Sequence, residues 1–419
     1  ELAGIGNIPS NMGRDTRFKD FAPRVGLAYR FDEKTVVRAG YGISVDTSFP
    51  DDKYAFNFPI KQNNSFSAPN SFSAAGKMAT GFAAPLIAST PANGIISPAP
   101  LNQAELFIPL NTKDGYIQSW NIAIERALPG NFIFDIAYVG NHNVGVLTDQ
   151  NINAGLVPGA GAAGRPLNKK FGKTADVLEW VRTDTEYNAL QVKLDHRFSN
   201  GLLLTTAYTF GKGINYSDDN GGLSIPAVLA LNRGRTGYDR THSFVQSYVY
   251  ELPFGPGKRW LQSGFGRWVL GDWQLNGIFS AYSGLPLDFR ISATSLNEPG
   301  NVNRPNLTGT FKVLGAVGPG SQWFDTSAGI FTAPAPATYG TMGRNLFSGP
   351  SYVNLDFSVF RRFRVTERVA AEFRVESFNF TNTPHFNPPG VTMGNADFGQ
   401  VTGTLGDPRR IGFGLKLTF

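Results

Sequence analysis

The sequence predicts an all-β fold, an antiparallel transmembrane β-barrel, and three observations predict it. Apolar and polar residues alternate with a period of two in about eleven segments, the mark of a strand whose two faces meet different surroundings. The links between those segments alternate between tight and long. No stretch supplies the roughly 18 consecutive apolar residues that a spanning helix requires.

In chain order the segments are Phe21–Phe31, Lys34–Asp46, Gly115–Leu128, Asn131–Val146, Glu186–Phe198, Leu202–Lys212, Thr241–Glu251, Leu270–Arg290, Tyr352–Phe363, Arg368–Phe380 and Arg409–Phe419. In the second, Val37, Ala39, Tyr41, Ile43 and Val45 alternate with Arg38, Gly40, Gly42 and Ser44. The fourth sets Phe132, Phe134, Ile136 and Tyr138 against Ile133, Asp135 and Ala137. In the fifth, Leu190, Val192 and Leu194 oppose Gln191, Lys193 and Asp195. Val353, Leu355, Phe357 and Val359 mark the ninth. The last is the cleanest, with Ile411, Phe413, Leu415, Leu417 and Phe419 on one face and Gly412, Gly414, Lys416 and Thr418 on the other. Two segments are irregular. Leu270–Arg290 contains Ser283-Gly284-Leu285-Pro286, which predicts a bulge or bend near its end. Thr241–Glu251 puts Gln246 on its apolar face, which leaves its register open.

Tight links join Phe31 to Lys34, Leu128 to Asn131, Phe198 to Leu202 and Phe363 to Arg368. Residues 47–114, 147–185, 213–240, 291–351 and 381–408 form long, aperiodic loops rich in Gly, Pro, Ser and Asn. One short-side link, Leu252–Val269, is longer than its siblings. Barrels that span outer membranes sort their links this way, with short periplasmic turns and long extracellular loops. On that orientation Phe419 ends in the periplasm and residue 1 starts on the extracellular side. Bacterial single-chain barrels have an even strand count, so an odd number of strands is expected to precede this chain.

In hydrocarbon every backbone N–H and C=O must be paired within the protein, and a sheet meets that demand only by closing. One face then meets lipid, where a Lys or Arg at the midplane costs about 2–4 kcal/mol. Strand parity puts Arg24, Arg38, Asp135, Lys193, Asp195, Asp356, Glu372, Arg374, Glu376 and Lys416 on the lumen side, with both signs mixed. An aromatic girdle is expected near the periplasmic strand ends from Tyr29, Phe31, Trp120, Phe198, Tyr250, Phe254, Trp260, Trp268, Trp273, Phe363 and Phe419. The formal charge of +6 is dispersed along the chain rather than gathered in the stripe that nucleic acid requires. No nucleic-acid partner is expected.

Family resemblance enters with particular stretches. APRVGLAYRFDEKTVVRAGYGI (22–43), GYIQSWNIAIER (115–126), YNALQVKLDHRFSNGLLLTTAYTFGKGIN (187–215) and DRTHSFVQSYVYELPFGPGKRW (239–260) resemble the barrel of TonB-dependent receptors, specifically the Oar-like group. GDWQLNGIFSAYSGLPL, NRPNLTG, YVNLDFSVFRRF, RVESFNFTNTPHFNPP and DPRRIGFGLKLTF extend the resemblance to the end, while the long loops match poorly. The resemblance implies a barrel of about 22 strands with a plugged lumen. Residues 1–419 would be its C-terminal portion, and the plug and TonB-contacting segment would lie outside them. Gly414, Leu417 and Phe419 resemble the terminal signal read by the barrel assembly machinery.

Sites for chemistry are weak. His142, His196, His242 and His385 lie in separate segments without metal-ligand spacing. Asp218-Asp219-Asn220-Gly221-Gly222 misses the calcium-loop pattern, and GAGAAG (159–164) lacks the context of a phosphate loop. Asp51-Asp52 and Glu372 with Glu376 are paired carboxylates without a pocket. No enzymatic activity, cofactor or metal is expected. The expected partners are outer-membrane lipid, the assembly machinery, the TonB complex through the segment outside this chain, and an extracellular ligand. Tyr54, Phe56, Phe58, Phe66 and Phe72 in the first long loop are candidates to stack on that ligand. Energised uptake is the favoured role, and an adhesin or a secretion or attachment scaffold is the alternative.

Overall fold

The computed structural model describes residues 20–46, 113–218, 222–364, 366 and 368–419, with the short stretches 4–7, 9–10, 77–80, 92–93 and 104–107 and the single positions 18 and 101. Most of the first long loop, including Asp51, Asp52, Tyr54, Phe56, Phe58, Phe66 and Phe72, lies outside the described residues, as do Asp219, Asn220 and Gly221.

One sheet of 13 strands dominates the chain, and eleven of them form an unbroken antiparallel meander in sequence order. These are β1 Arg24–Arg30, β2 Thr35–Asp46, β3 Gly115–Leu128, β4 Phe132–Asn151, β5 Val177–Ser199, β6 Leu202–Asn215, β7 His242–Glu251, β8 Trp273–Tyr282, β9 Tyr352–Arg364, β10 Ala370–Phe378 and β11 Arg410–Thr418. Among the described residues β1 and β11 each have a partner on one side only, so the sheet is not closed. No described helix is long and apolar enough to cross a membrane.

Each of the eleven segments read from periodicity corresponds to one strand, with three differences. β4 and β5 run on to Asn151 and back to Val177, across a bulge between Asn143 and Val146 where Gly145 takes a positive φ of 76°. Polar residues occupy both faces of this extension, so no alternation marks it. After a short helix α1 at Pro166–Phe171, a second, α2 at Gly264–Leu270, precedes the eighth segment, which is shorter than expected because its strand starts at Trp273 and stops at Tyr282. At Gly284 the chain passes so close to the Gly349 carbonyl that a Cβ would lie 1.8 Å from its oxygen. Gln246 does sit on the apolar face, between Thr206 and Phe279.

The tight turns have local causes. Asn200 and Gly201 link β5 to β6 with both φ values positive, 51° and 82°. Asn-Gly favours this type I′ geometry, whose twist matches that of the flanking strands.

Register divides the sheet into two faces. Val25, Tyr41, Trp120 and Gly140 lie in one cross-strand row, as do Ile124, Ile136, Val192 and Tyr208 in another. That face is apolar through its middle. Several of its rings lie flat across glycines: a Cβ on Gly140 would meet the Trp120 ring at 2.5 Å, and one on Gly277 the Tyr248 ring at 2.6 Å. Such pairs cover strand glycines that would otherwise leave the sheet unpacked. Trp120 therefore sits well along β3 from its turn end at Leu128, which removes it from the expected girdle. Tyr29, Phe198, Tyr250, Trp273 and Phe363 do lie at or next to the short-turn ends of their strands.

Opposite substitutions on adjacent residues test the faces. Val192→Arg is expected to destabilise the folded protein by about 2–4 kcal/mol in a bilayer, and Gln191→Arg, on the other face, by much less. Urea titration of both variants in lipid vesicles reads the difference.

Candidate functional site

Two regions carry polar side chains in organised form: the second face of the sheet, and a layer of folded loops at its long-loop rim.

Cross-strand register places Arg24, Arg38, Asp135, Lys193, Asp195, Asp356, Glu372, Arg374, Glu376 and Lys416 all on the polar face. They form two groups rather than one. On β2 to β5, Arg38 contacts Glu125 at 2.9 Å, Glu125 lies opposite Asp135, Asp135 opposite Lys193, and Lys193 reaches Asp195 at 2.7 Å. On β9 to β11, Arg374 pairs with Glu372, which faces Lys416 across the ladder. Arg24 stands apart, near Ser44. Between the groups, β6 to β8 present the uncharged Thr205, Thr209, Ser243, Ser247, Asn276 and Ser280, with Glu251 at the short-turn end paired to Lys258. A concavity of about 400 Å³ lies where this neutral band meets Asp356 and Glu376.

On the terminal strand, Gly414 faces Arg374 on the polar side, while Leu417 faces Ala371 on the apolar side. Phe419 is 97% exposed.

At the long-loop rim, residues 283–351 and 379–409 fold over one aromatic core. Phe289, fully buried, is its hub: the rings of Phe324 and Phe331 lie 5.2 Å from it, and those of Phe311, Phe347 and Phe398 within 6.3 Å. Short ladders tie these loops together: Pro286–Leu287 with Phe347–Ser348, Arg290–Ile291 with Thr392–Met393, and Asn306–Leu307 with Phe331–Thr332.

Buried polar side chains supply the pairing that a regular sheet would otherwise provide. Asn303 accepts from the Arg304 and Gly340 amides and donates to the Thr338 carbonyl. Asn232 bridges to Ile225 through both ends of its amide, and Asn153 does the same for Leu167, Lys173 and Ala175. Arg344 donates to Asn215, to the Asn232 carbonyl and to Asp218 at 2.6 Å. Burial pushes the Asp218 carboxyl up, but bonds from the Gly237 amide, Asn215 and Arg344 outweigh it and hold it below its ordinary value. The loops after β6 and β8 are thereby locked to each other. None of these nodes was legible as a site in the sequence, although Asn303 and Arg304 open the NRPNLTG motif.

A cleft of about 490 Å³ lies in this layer, beside the paired loop strands Arg290–Ile291 and Thr392–Met393. Ser292, Asn301 and Asn395 add amide and hydroxyl groups to its wall, and Arg290 is held by Asp288 at 3.0 Å. Its wall thus combines hydrogen-bonding groups with one arginine.

The four histidines stay apart. His196 packs against Phe132 near the short turns, His242 contacts Tyr208, His142 lies 3.8 Å from Asp184, and His385 stacks on Tyr352 at 4.1 Å.

No curated protein matches the sequence. A family described as an outer membrane beta barrel domain matches residues 1–412. Among solved structures, the chain is similar to the ferripyoverdine receptor of the outer membrane of Pseudomonas aeruginosa, with 11% identity, a TM-score of 0.44 and coverage of 95% of this chain and 32% of that one. It is similar to the outer membrane transporter YddB from Escherichia coli, with 7% identity, a TM-score of 0.46 and coverage of 92% and 39%. For the FrpB iron transporter from Neisseria meningitidis the values are 11%, 0.42, 95% and 39%. The chain thus spans between 32% and 39% of the length of these structures.

Two substitutions probe the loop layer. Phe289→Ala is expected to cost about 3–5 kcal/mol of local stability, read as early loss of near-UV circular dichroism on heating. Glu298, buried and bonded to the Tyr339 hydroxyl, has its pKa raised by burial, against which that bond works. Because the folded form binds the proton more readily than the unfolded form, stability is full below the ordinary glutamate range and falls as pH rises through the raised value. Near-UV melts at stepped pH should show that decline, and Glu298→Gln should flatten it.

Proposed function

The chain belongs to the outer membrane β-barrel domain family, and on that footing we propose that this bacterial outer-membrane protein is the C-terminal portion of a TonB-dependent receptor. Its loop layer captures a ligand at the cell surface, and a plugged lumen passes the ligand inward with energy from the TonB complex. The observation that carries this reading is an open meander of eleven strands with one rim capped by a folded loop layer. A barrel closed by these strands alone would need β1 and β11 to pair, and each has a free edge among the described residues. In lipid such edges are untenable, so further strands must cover them.

The apolar face then meets lipid and the polar face lines the lumen. The two ion-paired groups on that wall suit contact with a plug, because a wall whose charges are already paired holds a polar domain without a large desolvation cost. Rigid scaffolds carry binding residues on their loops, which makes the cleft beside Arg290, Ser292, Asn301 and Asn395 the favoured capture site. Gly414, Leu417 and Phe419, on the strand that ends the chain, serve as the recognition signal for the barrel assembly machinery.

Reading the coding sequence upstream of Glu1 tests this proposal. A plug and an odd number of further strands are expected there. Further strands without a plug or a TonB-contacting segment would turn the reading to an adhesin or attachment scaffold.

A further inference from the structure

The link from β7 to β8, residues 252–272, does more than reverse the chain. Asn200 and Gly201 suffice for the turn between β5 and β6, whereas this link folds into a defined unit. Phe254 bridges Trp260, their rings lie 6.0 Å apart, and the Gly255 and Trp260 amides donate to the Trp260 and Pro253 carbonyls at 3.0 Å. Gly255, Gly257, Leu261, Gly264 and Asp272 hold positive φ values that fix the path of the chain.

The unit is tethered to one side of the rim. The carbonyls of Trp268 and Val269, at the C-terminal end of α2, accept from the Arg361 guanidinium, and Val269 also accepts from the Trp273 indole at 2.9 Å. Arg361 stacks over the rings of Trp273 and Phe363, at 5.3 and 4.6 Å. Register puts Arg361, Trp273 and Phe363 on the apolar, lipid-side face. The helix of the link is thus fastened on the outside of the wall, while Lys258 reaches Glu251 on the polar side of the same rim.

Its outer surface is unusually apolar. Phe265 is 80% exposed and Trp268 70%, with their rings stacked 6.1 Å apart. Basic residues accompany them: Arg259 lies over the Trp260 ring and Arg267 is in the last turn of α2, while Lys258 is spent on Glu251. Exposed aromatics beside cations, continuous with a lipid-facing wall at the short-turn rim, match what an interfacial helix presents to a bilayer.

We propose that residues 252–272 form an in-plane anchor in the phospholipid leaflet that faces the periplasm. Phe265 and Trp268 enter the boundary between headgroups and acyl chains, and Arg259 and Arg267 meet lipid phosphates.

Spin labels measure that depth. The complete protein is folded into vesicles of phosphatidylethanolamine and phosphatidylglycerol, with a nitroxide on Phe265→Cys, on Trp268→Cys or, as the aqueous reference, on Glu33→Cys in the β1–β2 turn. Folding of each variant is checked by heat-modifiable gel migration, and the two link positions back each other up. At 265 and 268, collisions with oxygen should exceed those with a water-soluble nickel chelate, and the order should invert at 33. Nickel dominance at both link positions would overturn the anchor. So would labels that are wet in vesicles but shielded in native outer membranes, which would assign the surface to a periplasmic protein. In the Arg259→Gln/Arg267→Gln background the label at 268 should move toward water in these vesicles. An unchanged depth would overturn the phosphate contacts.

Discussion

Backbone hydrogen bonding without water governs this structure. A peptide group that meets hydrocarbon unpaired costs several kcal/mol, so a chain that crosses with strands must pair every one of them on both sides. The antiparallel meander from β1 to β11 satisfies that demand for its nine inner strands and leaves two edges unmet among the described residues. Period-two alternation then follows from geometry rather than from any separate requirement. Once the strands are laid side by side, alternate residues face lipid, and a charge in the middle of that face is excluded. The mid-sheet row of Ile124, Ile136, Val192 and Tyr208 is the outcome.

Beyond the bilayer the same demand is met by different means. Residues 283–351 and 379–409 have water above and protein below, so their backbone groups can be satisfied piecemeal. Two-residue ladders, buried asparagines and arginines divide the task. Asn232 takes up four backbone groups of its own loop, and Arg344 reaches two stretches of that loop, at 215–218 and at Asn232, from more than 100 residues away in sequence. The aromatic cluster around Phe289 supplies the apolar burial that fixes these contacts. A loop layer built this way is rigid enough to shape a cleft and has no periodicity of its own.

That division explains what the sequence disclosed. Parity of loop length and alternation along β11, β9 and β2 were visible because the membrane imposes them residue by residue. The back extension of β5 was not, since Val177–Thr185 rises above the bilayer, where neither face must be apolar. Trp120 was misplaced because an aromatic residue on the lipid face reads the same from sequence whether it covers a glycine such as Gly140 or marks the interface. The cleft beside Arg290 and Asn301 could not be read at all. Its walls come from segments about 100 residues apart, joined by a parallel ladder of two residues each, too short to leave a pattern.

The distribution of charge on the polar face follows from the same geometry. Each ion pair there links neighbouring strands or residues two apart on one strand, so none of them needs a closed barrel, even where Arg38 and Glu125 stand 87 residues apart in sequence. Arg38 with Glu125, Lys193 with Asp195, and Glu372 with Arg374 all obey this rule. On β6 to β8 the same local rule works through neutral groups: Thr205 donates to Asp195 at 2.8 Å, Gln274 to Asn276 at 2.6 Å and Asn276 to Ser358 at 3.2 Å. Pairing between adjacent positions of the sheet thus fixes both charged groups without any contact across the lumen.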